Sequence, residues 1–95
     1  MYLNFEQVVA SNAVKTLTSL TVPANATAAE LQADTNPVRY TMDNATNPTQ
    51  TSGMVMAVAD QPKLFLIEDV NRMRFTRGAG ADGNLNIHYL AGRDV

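Results

Sequence analysis

Apolar residues recur at every second position in several short segments of this chain. The alternation is clearest in residues 29–34, 38–43, 72–76 and 84–89. Successive side chains of a β-strand point to opposite faces of a sheet, so this period predicts strands with one buried face. Further strands are predicted at residues 3–9, 14–22, 53–58 and 63–68, which are rich in Val, Leu, Thr, Phe and Ile.

Turn-forming residues separate these segments. Pro, Asn and Asp mark connections at residues 23–26, 35–37, 44–48 and 60–62. Residues 78–83 join the last two strands, and Asp82-Gly83 is the candidate tight turn of that hairpin. Residues 26–32 are the one segment that could instead form a helix. The clean alternation there and in residues 38–42 favours a hairpin between the two segments. Seven or eight short strands without a convincing helix predict a single small antiparallel β-sandwich, either jelly-roll or immunoglobulin-like.

The size of the chain sets its domain organisation. At 95 residues it is long enough for one ordinary domain and too short for two. We predict a β-sandwich domain over residues 13–95, preceded by residues 1–12 as an N-terminal strand or a detachable arm. Only 17% of the residues are charged, so much of the surface consists of uncharged polar groups. The desolvation free energy of such a surface is low when another protein covers it.

Charge and composition disfavour several classes of function. The net charge is −2, and the arginines are interspersed with acidic residues, which disfavours direct binding of nucleic acid. There is no cysteine, hence no disulfide and no thiolate metal site, and folding in a cytoplasm is expected. No segment approaches the ~20 apolar residues of a membrane span, and the N-terminus lacks the pattern of a signal peptide.

The chain offers few groups for catalysis. His88 is the only histidine, and none of Ser11, Ser19 and Ser52 lies in a nucleophile-elbow motif. Glu68 and Asp69 are adjacent, but their spacing matches no calcium-binding loop, and a solvated strand end is favoured. We therefore expect no enzymatic activity, no cofactor and no metal.

Five residues are candidates for contact with a partner protein. Arg72 and Arg74 are predicted to share a face of one strand, where they either bind a carboxylate on a partner or pair within the sheet. Phe5 and Val8 lie in the N-terminal segment, which is a candidate for addition to the sheet edge of a neighbour. His88 lies on the face of its strand opposite Ile87 and Tyr89.

One series of segments resembles a known family. Residues 20–33 read LTVPANATAAELQA, and they are followed by PVRY at 37–40, NPT at 47–49, SGM at 52–54 and NLNIHYLA at 84–91. This order, over residues 18–91, resembles short β-sandwich proteins that tailed bacteriophages encode among their virion genes. The Asp-Gly that is usual in the middle of that pattern is replaced here by Asp43-Asn44-Ala45.

The resemblance implies a structural component of a phage particle. The first interpretation is a capsid decoration or cement protein at the capsid surface, which contacts the major capsid protein and copies of itself, in a trimer for example. The second is an adaptor of the neck, the tail or a fibre base. A third, from another class, is a surface module that binds carbohydrate or a receptor. The third is disfavoured because the chain has no Trp and because Tyr40 and Tyr89 are predicted to face inward.

Overall fold

A computed structural model describes residues 1–16 and 22–92, and the chain there is almost entirely β-structure. The elements are β1 (Tyr2–Ala10), β2 (Lys15–Thr16), β3 (Ala28–Asp34), β4 (Val38–Thr41), β5 (Met54–Met56), β6 (Lys63–Leu66), α1 (Ile67–Val70), β7 (Arg74–Arg77) and β8 (Gly83–Leu90). The predicted all-β sandwich is confirmed. The strand expected over 14–22 begins as β2, and its residues 17–21 lie outside the described part of the chain.

The strands pair in a nested order. β1 pairs with β8, β2 with β7, β3 with β6 and β4 with β5, all antiparallel, as in one long hairpin with its tip between β4 and β5. This hairpin is rolled up so that β3 also pairs with β8 and β4 with β7. The result is two four-stranded sheets, sheet A with the order β1-β8-β3-β6 and sheet B with the order β2-β7-β4-β5. A rolled hairpin of eight strands is a jelly roll, one of the two topologies that the sequence left open.

Both hairpins predicted from adjacent strands are wrong. β3 lies in sheet A and β4 in sheet B, and the same holds for β8 and β7. Their short connections cross from one sheet to the other. Gly83, the first residue of β8, has to be glycine because it lies very close to the connection between β3 and β4. A Cβ at that position would lie 2.5 Å from the carbonyl oxygen of Asn36.

One helical turn occurs where the sequence predicted the end of a strand. The strand expected over 63–68 stops at Leu66, which pairs with Ala28, the first residue of β3. The chain then turns as α1, and the N–H of Ile67, its first residue, donates to the carbonyl of Thr27. The turn closes one end of the sandwich, because Val70 is completely buried.

The core lies between the two sheets. Sheet A contributes the alternate residues of its two central strands, among them Leu31 and Ile87, and sheet B contributes Val38, Met56 and Phe75. Tyr89 and Phe75 are the largest fully buried side chains. The Tyr89 hydroxyl donates a hydrogen bond of 3.0 Å to Oε2 of Glu6 on β1. Burial and the carboxylate of Glu6 together raise the pKa of Tyr89 far above its ordinary value.

The N-terminal segment is an edge strand of sheet A. β1 pairs with β8 from Phe5 opposite His88 to Ala10 opposite Gly83. At its beginning, the amino group of Met1 donates to the carbonyl of Ala91, and the Ala91 N–H donates back to the carbonyl of Met1. Residues 2–10 of the predicted N-terminal segment thus form a strand of sheet A.

The outer face of sheet B is covered by the chain itself. The connection between β4 and β5, residues 42–53, folds back over this face. Arg39 Nη1 donates to the carbonyl of Gly53, and Arg74 donates to the carbonyls of Asn44 and Ala45 and to Oδ1 of Asn47. Pro48, in the middle of the connection, is fully buried. No described element covers the outer face of sheet A in this way.

Candidate functional site

The candidate site is the outer face of sheet A, which we call the exposed face. Its side chains form rows across the strands, because residues directly opposite each other in a sheet share a face. The central row consists of Phe5 on β1, His88 on β8, Glu30 on β3 and Leu64 on β6. The row on one side consists of Gln7, Asn86 and Gln32. The row on the other side consists of Tyr2, Leu90, Ala28 and Leu66.

Exposed apolar side chains lie at both edges of the exposed face. On the two central strands the exposed side chains are polar, whereas Ala28 and Leu90 there are buried. The apolar edge residues are Tyr2, Phe5 and Val9 on β1 and Leu64 and Leu66 on β6, and each is between 47% and 55% exposed. They make up half of the large exposed hydrophobic residues in the described part of the chain. Exposed apolar groups that lie together on one face mark an interaction surface more often than scattered ones do.

An irregularity in β1 places two aromatic rings on this face. Residues 2 and 5 would point to opposite faces of a regular strand, but the register shifts between Tyr2 and Phe5. Such a β-bulge re-aims the side chains that precede it. As a result both rings contact His88. The ring centroid of Tyr2 lies 4.4 Å from that of His88, and Phe5 meets His88 edge-on at 5.9 Å.

A depression of about 150 Å³ lies in the middle of the exposed face. It is lined by residues of β1, β3 and β8 and of the loop before β6: Phe5, Glu30, Gln32, Pro62, Asn86 and His88. Two of its residues are held by neighbours on β1. Gln7 Nε2 donates to Oδ1 of Asn86 at 2.8 Å, and the Tyr2 hydroxyl hydrogen-bonds to Glu30. This hydrogen bond and the negative charge of Glu30 raise the pKa of Tyr2.

The exposed face is acidic. Its outward strand positions include Glu30 and Asp34 on β3 and, within residues 1–16 and 22–92, no Lys or Arg. His88 and the amides of Gln7, Gln32, Asn84 and Asn86 are further polar groups on it. The arrangement therefore combines hydrogen-bonding groups and a carboxylate at the centre with apolar surface on two sides.

The structure separates the five predicted contact residues. Phe5 and His88 lie together on the exposed face. Val8 lies on the opposite side of β1 and packs against the core, so it does not belong to this surface.

The two arginines do not form the predicted strip. Arg72 is exposed in the turn after α1, outside any strand. Arg74 begins β7 and is engaged by the connection between β4 and β5. Arg72 is therefore an exposed residue of a turn, whereas Arg74 holds the connection between β4 and β5 against sheet B.

Sequence reasoning missed Tyr2, Glu30, Leu64 and Leu66 as members of this face. The bulge that turns Tyr2 outward leaves no local signal. Leu64 and Leu66 did leave one, since the run from Leu64 to Ile67 is apolar at every position. A strand that is apolar on both phases is typical of a strand covered on both faces, and here one of those faces is open.

Two further findings concern the described residues. No three His, Asp or Glu side chains among them come together in a way that could hold a metal ion. None of the helices found there is long and apolar enough to cross a membrane.

Comparison with known proteins returned nothing: no protein-family model, no curated protein and no solved structure matches this chain. Its class is therefore defined by its fold, a small jelly-roll sandwich in which the described residues cover one outer face and leave the other uncovered.

Proposed function

We propose that this chain is a non-enzymatic structural protein of a phage particle, a capsid decoration or cement protein that binds capsid subunits through the exposed face of sheet A. The observation that supports binding is the exposed face itself, with apolar side chains along both edge strands and a polar centre. The phage assignment rests on the sequence resemblance over residues 18–91, because a jelly roll alone does not determine function.

The exposed face is suited to binding of moderate strength. Full burial of a large apolar side chain contributes roughly 1.5–3 kcal/mol, so the exposed half of each edge residue contributes about 0.7–1.5 kcal/mol when a partner covers it. The loss of translational and rotational freedom offsets much of the total from Tyr2, Phe5, Val9, Leu64 and Leu66. Each copy then contributes a modest affinity.

Modest contacts are sufficient for a cement protein. A protein that binds the assembled shell and not the free subunits stabilises the shell by mass action. Repetition over a lattice multiplies this effect, and a copy that bridges two subunits gains further from the high effective concentration of the second site.

The first experiment is to measure the copy number of this chain in purified particles by quantitative mass spectrometry against the major capsid protein. A ratio near one copy per capsid subunit is expected. A ratio of a few per hundred would instead support the second interpretation, an adaptor of the neck, tail or fibre base. Absence of the chain from particles would overturn the structural interpretation altogether.

The second experiment tests the surface. The double variant Leu64→Thr and Leu66→Thr keeps residues suited to a strand and removes two apolar contacts. Shells that lack the protein should bind it about 10- to 100-fold more weakly, from the burial energies above. The matched control is Met54→Thr with Val55→Thr on β5 of sheet B, where the two side chains are 63% and 45% exposed. Normal binding by the first variant with loss in the control would move the docking surface to β5.

One observation favours a second candidate of another class, a carbohydrate-binding module. Tyr40 and Tyr89 do face the core, as predicted, but Tyr2 and Phe5 are exposed beside Glu30 and Asn86. Aromatic rings next to carboxylate and amide groups are also suited to a sugar. Saturable binding of a neutral monosaccharide, detected by chemical-shift changes at residues of the depression, would support this candidate.

A further inference from the structure

We propose that the depression at the centre of the exposed face receives an arginine side chain of the partner protein. This inference rests on the proposed function, because it names the chemistry of the partner that docks on the same face. Four properties of the depression lead to it: its charge, its aromatic wall, its size and the apolar surface beside it.

The charge of Glu30 is the first property. When a partner covers the exposed face, this carboxylate loses contact with water. A carboxylate that is buried without a cation costs several kcal/mol, whereas one that is paired and hydrogen-bonded does not carry this penalty. No Lys or Arg within residues 1–16 and 22–92 lies at an outward strand position of the face. A partner that presents a cation to Glu30 is therefore favoured over one that covers the carboxylate with neutral groups.

The aromatic wall is the second property. Phe5 and His88 line the depression, and Tyr2 packs on His88 at 4.4 Å. A guanidinium group stacks on aromatic faces and is weakly hydrated, which makes arginine better suited than lysine to a site that becomes covered. The hydrogen bond between Tyr2 and Glu30 holds the carboxylate close to these rings.

Size and flanking surface complete the argument. A volume of about 150 Å³ accommodates a guanidinium group with part of its methylene stem, and Pro62 offers the stem an apolar wall. Gln32, beside Glu30 in the lining, adds a side-chain oxygen that can accept a second N–H bond. Leu64 lies directly opposite Glu30 on the next strand. The complementary segment of the partner therefore presents an arginine with apolar neighbours.

The test uses the full chain labelled with ¹⁵N and two short probes. The first probe is acetyl-Leu-Arg-Leu-amide. The second carries citrulline in place of arginine, which preserves the shape of the side chain and removes its charge. The arginine probe should shift the amide signals of Glu30, Gln32 and His88 saturably, and the citrulline probe should bind at least tenfold more weakly.

Two variants provide the internal control. Glu30→Gln removes the charge and keeps the shape, and it should weaken binding of the arginine probe about tenfold. Asp34→Asn removes the other carboxylate of the same strand and face, outside the depression, and should change binding less than twofold. Both positions lie on the surface of the sheet, and an unchanged spectrum of the free variant verifies its fold.

Three results would overturn the inference: equal binding of the two probes, undiminished binding to the Glu30→Gln variant, or saturable binding of a neutral monosaccharide without binding of the arginine probe. Binding to shells separates this outcome from a failure of the proposed function. If Glu30→Gln binds shells like the wild type while Leu64→Thr with Leu66→Thr does not, the result supports the docking face and contradicts the arginine site. If the chain is absent from particles but the probes behave as expected, the result supports the arginine site and contradicts the phage assignment.

Discussion

Replacement of Arg74 by methionine should destabilise the protein although Arg74 lies near the surface. The guanidinium group makes three hydrogen bonds to the connection between β4 and β5. Nη1 donates to the carbonyl of Ala45 at 3.0 Å and to Oδ1 of Asn47 at 2.7 Å, and Nη2 donates to the carbonyl of Asn44 at 3.0 Å. Methionine keeps the unbranched stem of the side chain and loses all three donors.

The expected loss follows from these bonds. A hydrogen bond that involves a charged group contributes roughly 1.5–3 kcal/mol to stability, but solvent weakens it at an exposed site. Because the three bonds of Arg74 are exposed, we expect less than about 1 kcal/mol from each and about 2 kcal/mol in total. For a domain of this size, that corresponds to a decrease of about 10 °C in the unfolding temperature. The loop should also open locally, because Arg74 is one of its main attachments to sheet B.

The assay combines thermal unfolding with hydrogen exchange. Exchange should increase at the amides of Ala45 and Thr46, which donate to Oδ1 of Asp43 in the ordered loop. Arg72→Met is the matched control. It replaces the same residue type two positions earlier, in an exposed turn, and should change the free energy of unfolding by less than about 0.5 kcal/mol.

Two results would refute this reasoning. If Arg74→Met unfolds at the wild-type temperature with unchanged exchange in residues 43–47, the three hydrogen bonds contribute nothing. If it is as stable as the wild type and instead loses binding to shells, Arg74 has the role in partner contact that the sequence offered as one of two alternatives.

The remaining predictions concern two acid–base groups. Tyr89→Phe removes the hydroxyl that donates to Glu6, and should cost about 1.5 kcal/mol, the lower end for a bond to a charged group. Because the pKa of Tyr89 is raised in the folded state, its contribution is complete below pH 10 or so, where the unfolded phenol begins to ionise, and declines at higher pH; denaturant unfolding at pH 8 and 11 should show a smaller decline in Tyr89→Phe. Hydrogen bonds from the Thr46 hydroxyl and the Thr46 and Ala45 amides lower the pKa of Asp43 to about 2. Its stabilising contribution is therefore present above the unfolded pKa of 3.8 and is lost as the pH falls through about 2. Titration of its carboxyl carbon by NMR should show a midpoint near that value, and a midpoint near 4 would contradict the loop geometry.

Local patterns predicted the strands far better than their arrangement. The alternation in 29–34 and 84–89 identified β3 and β8 because each strand buries one phase in the core, as with Leu31 and Ile87. Their mutual pairing brings together residues fifty or more positions apart, and no turn signal encodes it. The turns at 35–37 and 78–83 were correct as turns. A short turn that crosses between sheets and a short turn of a hairpin contain the same residue types, and only long-range packing distinguishes them.

The candidate site could be predicted only in part for a related reason. His88 was placed by the regular phase of its strand, and Phe5 was named because the N-terminal segment was a candidate for contact with a neighbour. Tyr2 was missed because a bulge shifts its phase, and the bulge depends on how β1 meets β8. The role of Arg74 depends on carbonyl groups of residues 44 and 45, which every residue carries and which no sequence pattern reveals.

The rolled-hairpin topology explains why the described part of the chain covers one outer face and not the other. The tip of the long hairpin is the connection between β4 and β5, both of which belong to sheet B, so residues 42–53 can fold back only over that sheet. The strands of sheet A have no connection within their own sheet, because every chain segment that leaves β1, β3 or β6 crosses to sheet B. Residues 1–16 and 22–92 contain no element that covers sheet A, yet Leu64, Leu66 and Phe5 are apolar at outward positions. Such residues on edge strands add to the risk of aggregation and do little for an isolated copy. This combination favours a protein whose exposed face is covered in an assembly.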